Sequence, residues 1–184
     1  MVRGKLTFIS GGARSGKSTY AEKILVEEAK QNSGRLVYIA SGSKTDSEMM
    51  ERIEKHRLDR SKFNWTTIEQ PVNLEEILPH IRRGDLVLWD CVTTWLANEL
   101  YLAAECIEQT EVQLYKTIEE VRALASHFVI VSNEVLDEPP SVYSEVRTYS
   151  EALGRIHTEL VKNSTTAIEM DYGLATFWKG EDGL

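Results

Sequence analysis

The chain has 184 residues, enough for one substantial core and short for two ordinary enzyme domains, so a single domain over residues 1–184 is expected. Its composition, 42% hydrophobic and 27% charged with four prolines, is ordinary for a soluble globular protein, so disorder is not the default expectation. A formal charge of −8 argues against nucleic acid as a partner, which is met by a clustered basic face, but not against a nucleotide, which a few focused amides and one lysine can hold.

Met1 to Lys5 is followed too soon by Gly11-Gly12 for a signal-peptide apolar region, and no later run is long enough to span a bilayer. A cytoplasmic protein without stable membrane insertion is expected. The apolar run Leu6–Ile9, a helical pattern over Lys17–Gln31 and a second run Arg35–Ala40 set a βαβ rhythm, and hence a parallel sheet. Thr45 and Glu48 have capping-box spacing ahead of a predicted helix over Asp46–Leu58, whose Met49, Ile53 and His56 share one stripe. Further strands are predicted at Leu86–Asp90 and Phe128–Ser132, each after a helical pattern. Cys91 and Cys106 lack metal-ligand spacing and read as reduced thiols. Pro139 to Ser144 reads as a loop able to serve as a lid, followed by a helix over Val146–Lys162. A last strand is expected between Ala167 and Trp178, interrupted by Glu169 and Asp171. The fold class is therefore α/β, three layers with a mostly parallel central sheet.

The chemistry concentrates in Gly11-Gly12-Ala13-Arg14-Ser15-Gly16-Lys17-Ser18, which fits G-x-x-x-x-G-K-[ST] between a predicted strand and a predicted helix. In such a P-loop, backbone amides converge on phosphates at a helix N-terminus, the lysine neutralises β/γ oxygens, and the Ser18 hydroxyl ligates Mg²⁺. Asp90 ends the strand Leu86–Asp90 and is the candidate second metal-orienting group, although strands end in aspartate for turn reasons as well. Asn133 and Glu134 follow another strand at the sheet's carboxyl edge, as site residues or simply as the start of a loop. His56 lies among Arg52, Lys55, Arg57 and Arg60, a cluster that suits a triphosphate and a neutral, nucleophilic imidazole, or else a solvated basic helix. No Asn/Thr-Lys-x-Asp guanine-reading motif is present, so ATP and GTP both stand as phosphoryl donors.

With these residues in order, the sequence resembles the bifunctional adenosylcobinamide kinase/adenosylcobinamide-phosphate guanylyltransferase family of cobalamin biosynthesis. The resembling segments are GGARSGKS at Gly11–Ser18, YIAS at Tyr38–Ser41, Glu48-Met49 with Arg52-Ile53 and His56–Arg60, then Trp65, Thr67 and Glu69, DCVTTWLANEL at Asp90–Leu100, VSNEV at Val131–Val135 and Gly154. The resemblance implies a RecA-like P-loop fold, a trimeric homo-oligomer, and two reactions. One is phosphorylation of a corrinoid hydroxyl; the other is transfer of GMP from GTP to that phosphate through a GMP-histidine, at the position of His56. It also implies nucleotide contacts by Ala40, Ser41, Gly42, Arg57, Leu58, Asp59, Arg60, Glu69 and Asp90, where the family often has glutamate. This chain departs from the pattern at Leu136-Asp137-Glu138-Pro139-Pro140, where a glycine-containing loop is usual, and at His157, where asparagine is frequent.

Overall fold

Runs such as Leu86-Val87-Leu88-Trp89 and Phe128-Val129-Ile130-Val131 have no polar alternation, so they suit strands buried on both faces. The computed structural model describes residues 3–42, 63–103, 106–135 and 142–180, and within them these runs lie at the centre of one sheet. Its strands are β1 (Lys5–Gly11), β2 (Leu36–Ala40), β3 (Thr66–Glu69), β4 (Leu86–Asp90), β5 (His127–Val131), β6 (Thr166–Asp171) and β7 (Leu174–Lys179). Their order is β3-β2-β4-β5-β1-β6-β7. All neighbours are parallel except β6 and β7.

Alternation along the strands divides the core in two. Leu6, Phe8, Val37, Ile39, Val87, Trp89, Phe128 and Ile130 face α2 (Val92–Asn98), α3 (Ile107–Leu124) and α4 (Ser144–Asn163), which contribute Trp95, Leu114, Ile118, Ile156 and Leu160. On the other face, Ile9, Tyr38, Leu86, Leu88, Val129 and Val131 pack on Ala21, Leu25 and Val26 of α1 (Lys17–Asn32). Asp90 follows Leu86 and Leu88 at period two, so it leaves β4 on the α1 side. That parity is what brings a carboxylate to the start of the helix after the phosphate loop. Farther along α1, Glu28 Oε2 lies 2.6 Å from His127 Nδ1, whose Nε2 lies 2.8 Å from Thr7 Oγ1. The hydrogen bond from His127 holds the Glu28 carboxyl below its ordinary range and satisfies polar groups that the packing of α1 on the sheet buries.

The predicted strands β1, β2, β4 and β5 and the helices α1 and α4 form within two residues of their expected bounds. The single strand expected between Ala167 and Trp178 is instead the antiparallel hairpin β6–β7, reversing at Tyr172-Gly173. Both turn residues have positive φ, 46° and 82°, which matches the right-handed twist of the strands they join. Glu169 accepts the Trp178 Nε1 hydrogen at 2.9 Å, so its polarity belongs to the hairpin's open face rather than breaking the strand. A 3₁₀ helix (Leu74–His80, containing Pro79), not an α-helix, precedes β4. The expected helix Asp46–Leu58 and residues 139–141 of the expected loop lie outside the described residues, and Ser144, expected in that loop, is the first residue of α4.

Candidate functional site

Gly11 ends β1 at φ 148°, and a Cβ there would come 2.2 Å from the Met170 carbonyl oxygen, so the neighbouring strand admits only glycine. The chain then turns tightly, with the Ser15 amide donating to the Gly12 carbonyl at 3.2 Å, and Gly16 at φ 95° is the N-cap of α1. Gly12, Ala13 and Arg14 form an exposed apex, whereas Ser15 and Lys17 are buried. Lys17 Nζ folds back under this apex, donating to Gly12 O at 2.6 Å and to Ser15 Oγ at 3.4 Å. The loop thus holds an ammonium group beneath a helix N-terminus, the arrangement that attracts phosphate oxygens.

In the first turn of α1, Ser18 Oγ donates to Asp90 Oδ2 at 2.6 Å, and the Tyr38 hydroxyl from β2 donates to the same oxygen at 3.3 Å. A hydroxyl and a carboxylate oxygen are hard donors. Among the described residues no group of three or more His, Cys, Asp or Glu could form an all-protein metal cage. Mg²⁺ suits such a pair, because it takes one or two protein oxygens and completes its shell with phosphates and water.

The wall beside Asp90 is built by the start of α2 and the end of β5. Asn133 Nδ2 donates to Thr93 Oγ1 at 3.0 Å and reaches Cys91 Sγ at 3.7 Å. The Tyr149 hydroxyl of α4 donates to the Thr93 carbonyl at 3.0 Å, and burial pushes that phenol up to about 12, so it remains a donor. Burial, with the adjacent Asp90 charge, raises the Cys91 thiol as well, and the thiol lies 3.0 Å and 3.2 Å from the Thr93 and Thr94 hydroxyls. Asn133 is therefore aimed at the Asp90–Thr93 segment. Glu134 meets the phosphate loop through its amide, which donates to Gly11 O at 2.8 Å.

The structure gathers Gly11–Ser18, Asp90, Asn133 and Glu134 at the carboxyl ends of β1, β4 and β5. Sheet register adds Ala40, paired with Asp90 on one side and Glu69 on the other. Ser41 is fully buried: its amide donates to Asp90 O (3.0 Å), its Oγ accepts from Trp89 Nε1 (2.8 Å) and its carbonyl accepts from Asn98 Nδ2 (2.9 Å). Its polar groups brace the wall. Gly42 follows it at the edge of the described residues, and His56, Arg57, Leu58, Asp59 and Arg60 lie outside them. Sequence reasoning passed over Tyr38 as a site residue, although alternation with the buried Leu36 was enough to place it on the α1 side. Tyr149 has no comparable signal, since it joins the site across 56 residues through one backbone carbonyl.

His157 lies behind this wall, its Nε2 2.7 Å from Ser132 Oγ and its ring centroid 5.2 Å from that of Phe8. Burial lowers its pKa to about 4, so the folded protein holds it neutral at pH 7. An unfolded histidine titrates near 6.5. Between these values the unfolded chain binds the extra proton, so this contribution is complete above about pH 6.5 and is lost as the pH falls toward 4. Urea melts at pH 7 and pH 5 should therefore show the parent losing about 2 kcal/mol more than His157→Asn, which keeps a hydrogen-bonding side chain but cannot titrate. Equal losses in the two proteins would refute the assignment.

Over residues 7–177 the chain matches the family described as cobinamide kinase/cobinamide phosphate guanyltransferase. It is 31% identical over 169 residues to the bifunctional adenosylcobalamin biosynthesis protein CobU of Escherichia coli (strain K12), covering 84% of this chain and 89% of that protein. To the bifunctional adenosylcobalamin biosynthesis protein CobP of Pseudomonas aeruginosa it is 31% identical over 174 residues, 94% of this chain and 96% of the relative. The CobU protein of Salmonella typhimurium is 31% identical over 144 residues, 71% of this chain and 75% of its own length. Since the matched span runs from β1 into β7 and includes the phosphate loop, Asp90, Asn133 and Glu134, the chain belongs to the cobinamide kinase/cobinamide phosphate guanyltransferase family.

Proposed function

We propose that this chain phosphorylates adenosylcobinamide and then guanylylates the product, as a bifunctional transferase of cobalamin biosynthesis. In the first reaction the aminopropanol hydroxyl oxygen attacks the γ-phosphorus of ATP or GTP. The bond to the β,γ-bridging oxygen breaks, the nucleoside diphosphate leaves and the hydroxyl proton is released. In the second, a ring nitrogen of His56 attacks the α-phosphorus of GTP and displaces pyrophosphate. A phosphate oxygen of adenosylcobinamide phosphate then attacks that phosphorus, His56 leaves, and adenosylcobinamide-GDP forms. A phosphoramidate suits the relay because its P–N bond is labile enough to pass the nucleotidyl group onward.

The observation that supports a phosphoryl-transfer site best is the 2.6 Å contact of Ser18 with Asp90 beside the buried Lys17. In this reading the Gly11–Ser18 loop binds the phosphates, Lys17 neutralises their charge, and Tyr38 and Asn133 hold the Asp90 segment in place. Ser18 and Asp90 would hold Mg²⁺, which when bound draws charge from the β- and γ-phosphate oxygens. Arg57, Leu58, Asp59, Arg60 and Glu69 contact the guanine nucleotide, with Ala40, Ser41 and Gly42 forming the adjoining wall. The protein acts in the cytoplasm as a homo-oligomer, a trimer by family resemblance.

The test is incubation with Mg²⁺ and GTP labelled at the α-phosphate, followed by denaturation and peptide mapping. Acid-labile label on the peptide containing His56 is the expected result. No retained label, with γ-phosphate still passing to cobinamide, would leave a kinase alone. Transfer of neither group would leave a nucleotide-binding protein without catalysis.

A further inference from the structure

The phosphate loop is flanked on one side by the end of β5, which presents Asn133 and Glu134, and on the other by the β6–β7 turn. That turn touches the loop directly. The Gly173 amide donates to the Ser15 carbonyl at 3.0 Å, and a Cβ on Gly16 would lie 3.6 Å from Gly173 Cα. Asp171 pairs with Leu174, so the turn has two residues, Tyr172 and Gly173, both at positive φ. Such turns favour Asn-Gly or Asp-Gly, because asparagine and aspartate tolerate left-handed backbone and a bulky side chain does not. Here the first position holds a tyrosine at φ 46° whose side chain is almost wholly in water, 93% exposed. The ring gains nothing from the core, and the backbone beneath it is in a region costing about 1–2 kcal/mol for an L-residue. Strain retained at the rim of a phosphate loop, by a residue that packs on nothing among the described residues, points to a ligand as its partner.

We infer that Tyr172 is the platform on which the purine base of the phosphoryl-donor nucleoside triphosphate stacks, a contact separate from those proposed above for the guanine nucleotide of the second reaction. The inference rests on the nucleotide-binding role proposed above and adds the residue that meets the base. A triphosphate seated on the Ser15–Ser18 end of the loop places its ribose and base outside it, and among the described residues the turn joined to Ser15 is the flank offering an aromatic face. Stacking uses the π-face that every base has, so this contact strengthens binding without separating adenine from guanine. A phosphoryl-donor site built this way takes ATP and GTP alike.

Tyr172→Asn and Tyr172→Phe separate this role from a structural one. In a His56→Ala background, which takes up no GMP, and with Mg²⁺ present, dissociation constants are measured for ATP, GTP and inorganic tripolyphosphate, alongside thermal unfolding. Tyr172→Asn should weaken ATP and GTP by the same factor, about tenfold. Tripolyphosphate binding should be unchanged, and the midpoint of unfolding should rise because asparagine suits the turn. Tyr172→Phe should bind all three as the parent does. Unchanged ATP and GTP affinity in Tyr172→Asn would overturn the inference, as would an equal loss for tripolyphosphate, which would make the turn a brace for the loop. A parent protein that binds neither nucleotide would instead overturn the functional reading, and this inference with it.

Discussion

Lys17→Ala is expected to lower kcat/KM for phosphorylation of cobinamide by about 1,000-fold and to damage guanylylation as well. The reason is local. Lys17 is 6% exposed, and its ammonium lies 2.6 Å from the Gly12 carbonyl under the apex of the loop, so its charge acts where little water screens it. Phosphate oxygens placed over that apex meet this charge and the loop amides together, and no other lysine lies within the Gly11–Ser18 segment. Lys17→Arg should not restore activity, since a planar guanidinium cannot follow a path that brings a single nitrogen under Gly12. Steady-state rates with γ-labelled nucleotide check this, with far-ultraviolet circular dichroism as the control for folding. A folded Lys17→Ala protein with a tenth or more of parent activity would remove Lys17 from the mechanism.

His56→Ala is expected to abolish guanylylation, by at least about 1,000-fold, while phosphorylation proceeds near the parent rate. Covalent relay makes the difference. If His56 carries GMP, its loss removes the acceptor of the first displacement, and neither more GTP nor more adenosylcobinamide phosphate can compensate. In the proposed scheme the kinase reaction forms no bond to this histidine and depends on the phosphate loop. Parallel assays on one preparation, following label from the γ- and α-positions of GTP, separate the two. Transfer of GMP by His56→Ala at the parent rate would show a direct displacement or another carrier. Equal loss of both reactions would place His56 in a site that the two share.

The sheet's centre was legible because β4 and β5 are apolar at nearly every position, and few other structures bury such a run on both sides. Its edges were not. β3, Thr66–Glu69, is largely exposed, so its residues have no pattern of burial to display. The β6–β7 hairpin was hidden by its turn, since Tyr172-Gly173 lacks the Asn or Asp that ordinarily marks such a reversal. The short α2 begins two residues after Asp90, and its seven residues are too few to display a helical period.

By itself the sequence determined the phosphate loop, because that chemistry lies in eight consecutive residues whose spacing is its geometry, and it determined the family through motifs spread along the chain. Asp90 could be named as a candidate from its place after an apolar strand. Its partners, Ser18 at 72 residues' distance and Tyr38 at 52, were decided only by strand order and by which face of β4 meets α1. Tertiary structure alone also turned Asn133 toward Thr93, enclosed Ser41 within the wall and joined the Tyr172-Gly173 turn to the phosphate loop through the Gly173 amide. The physical reason is that local motifs follow from backbone conformation over a few residues. Contacts across the sheet depend on register and parity, which the whole core selects at once.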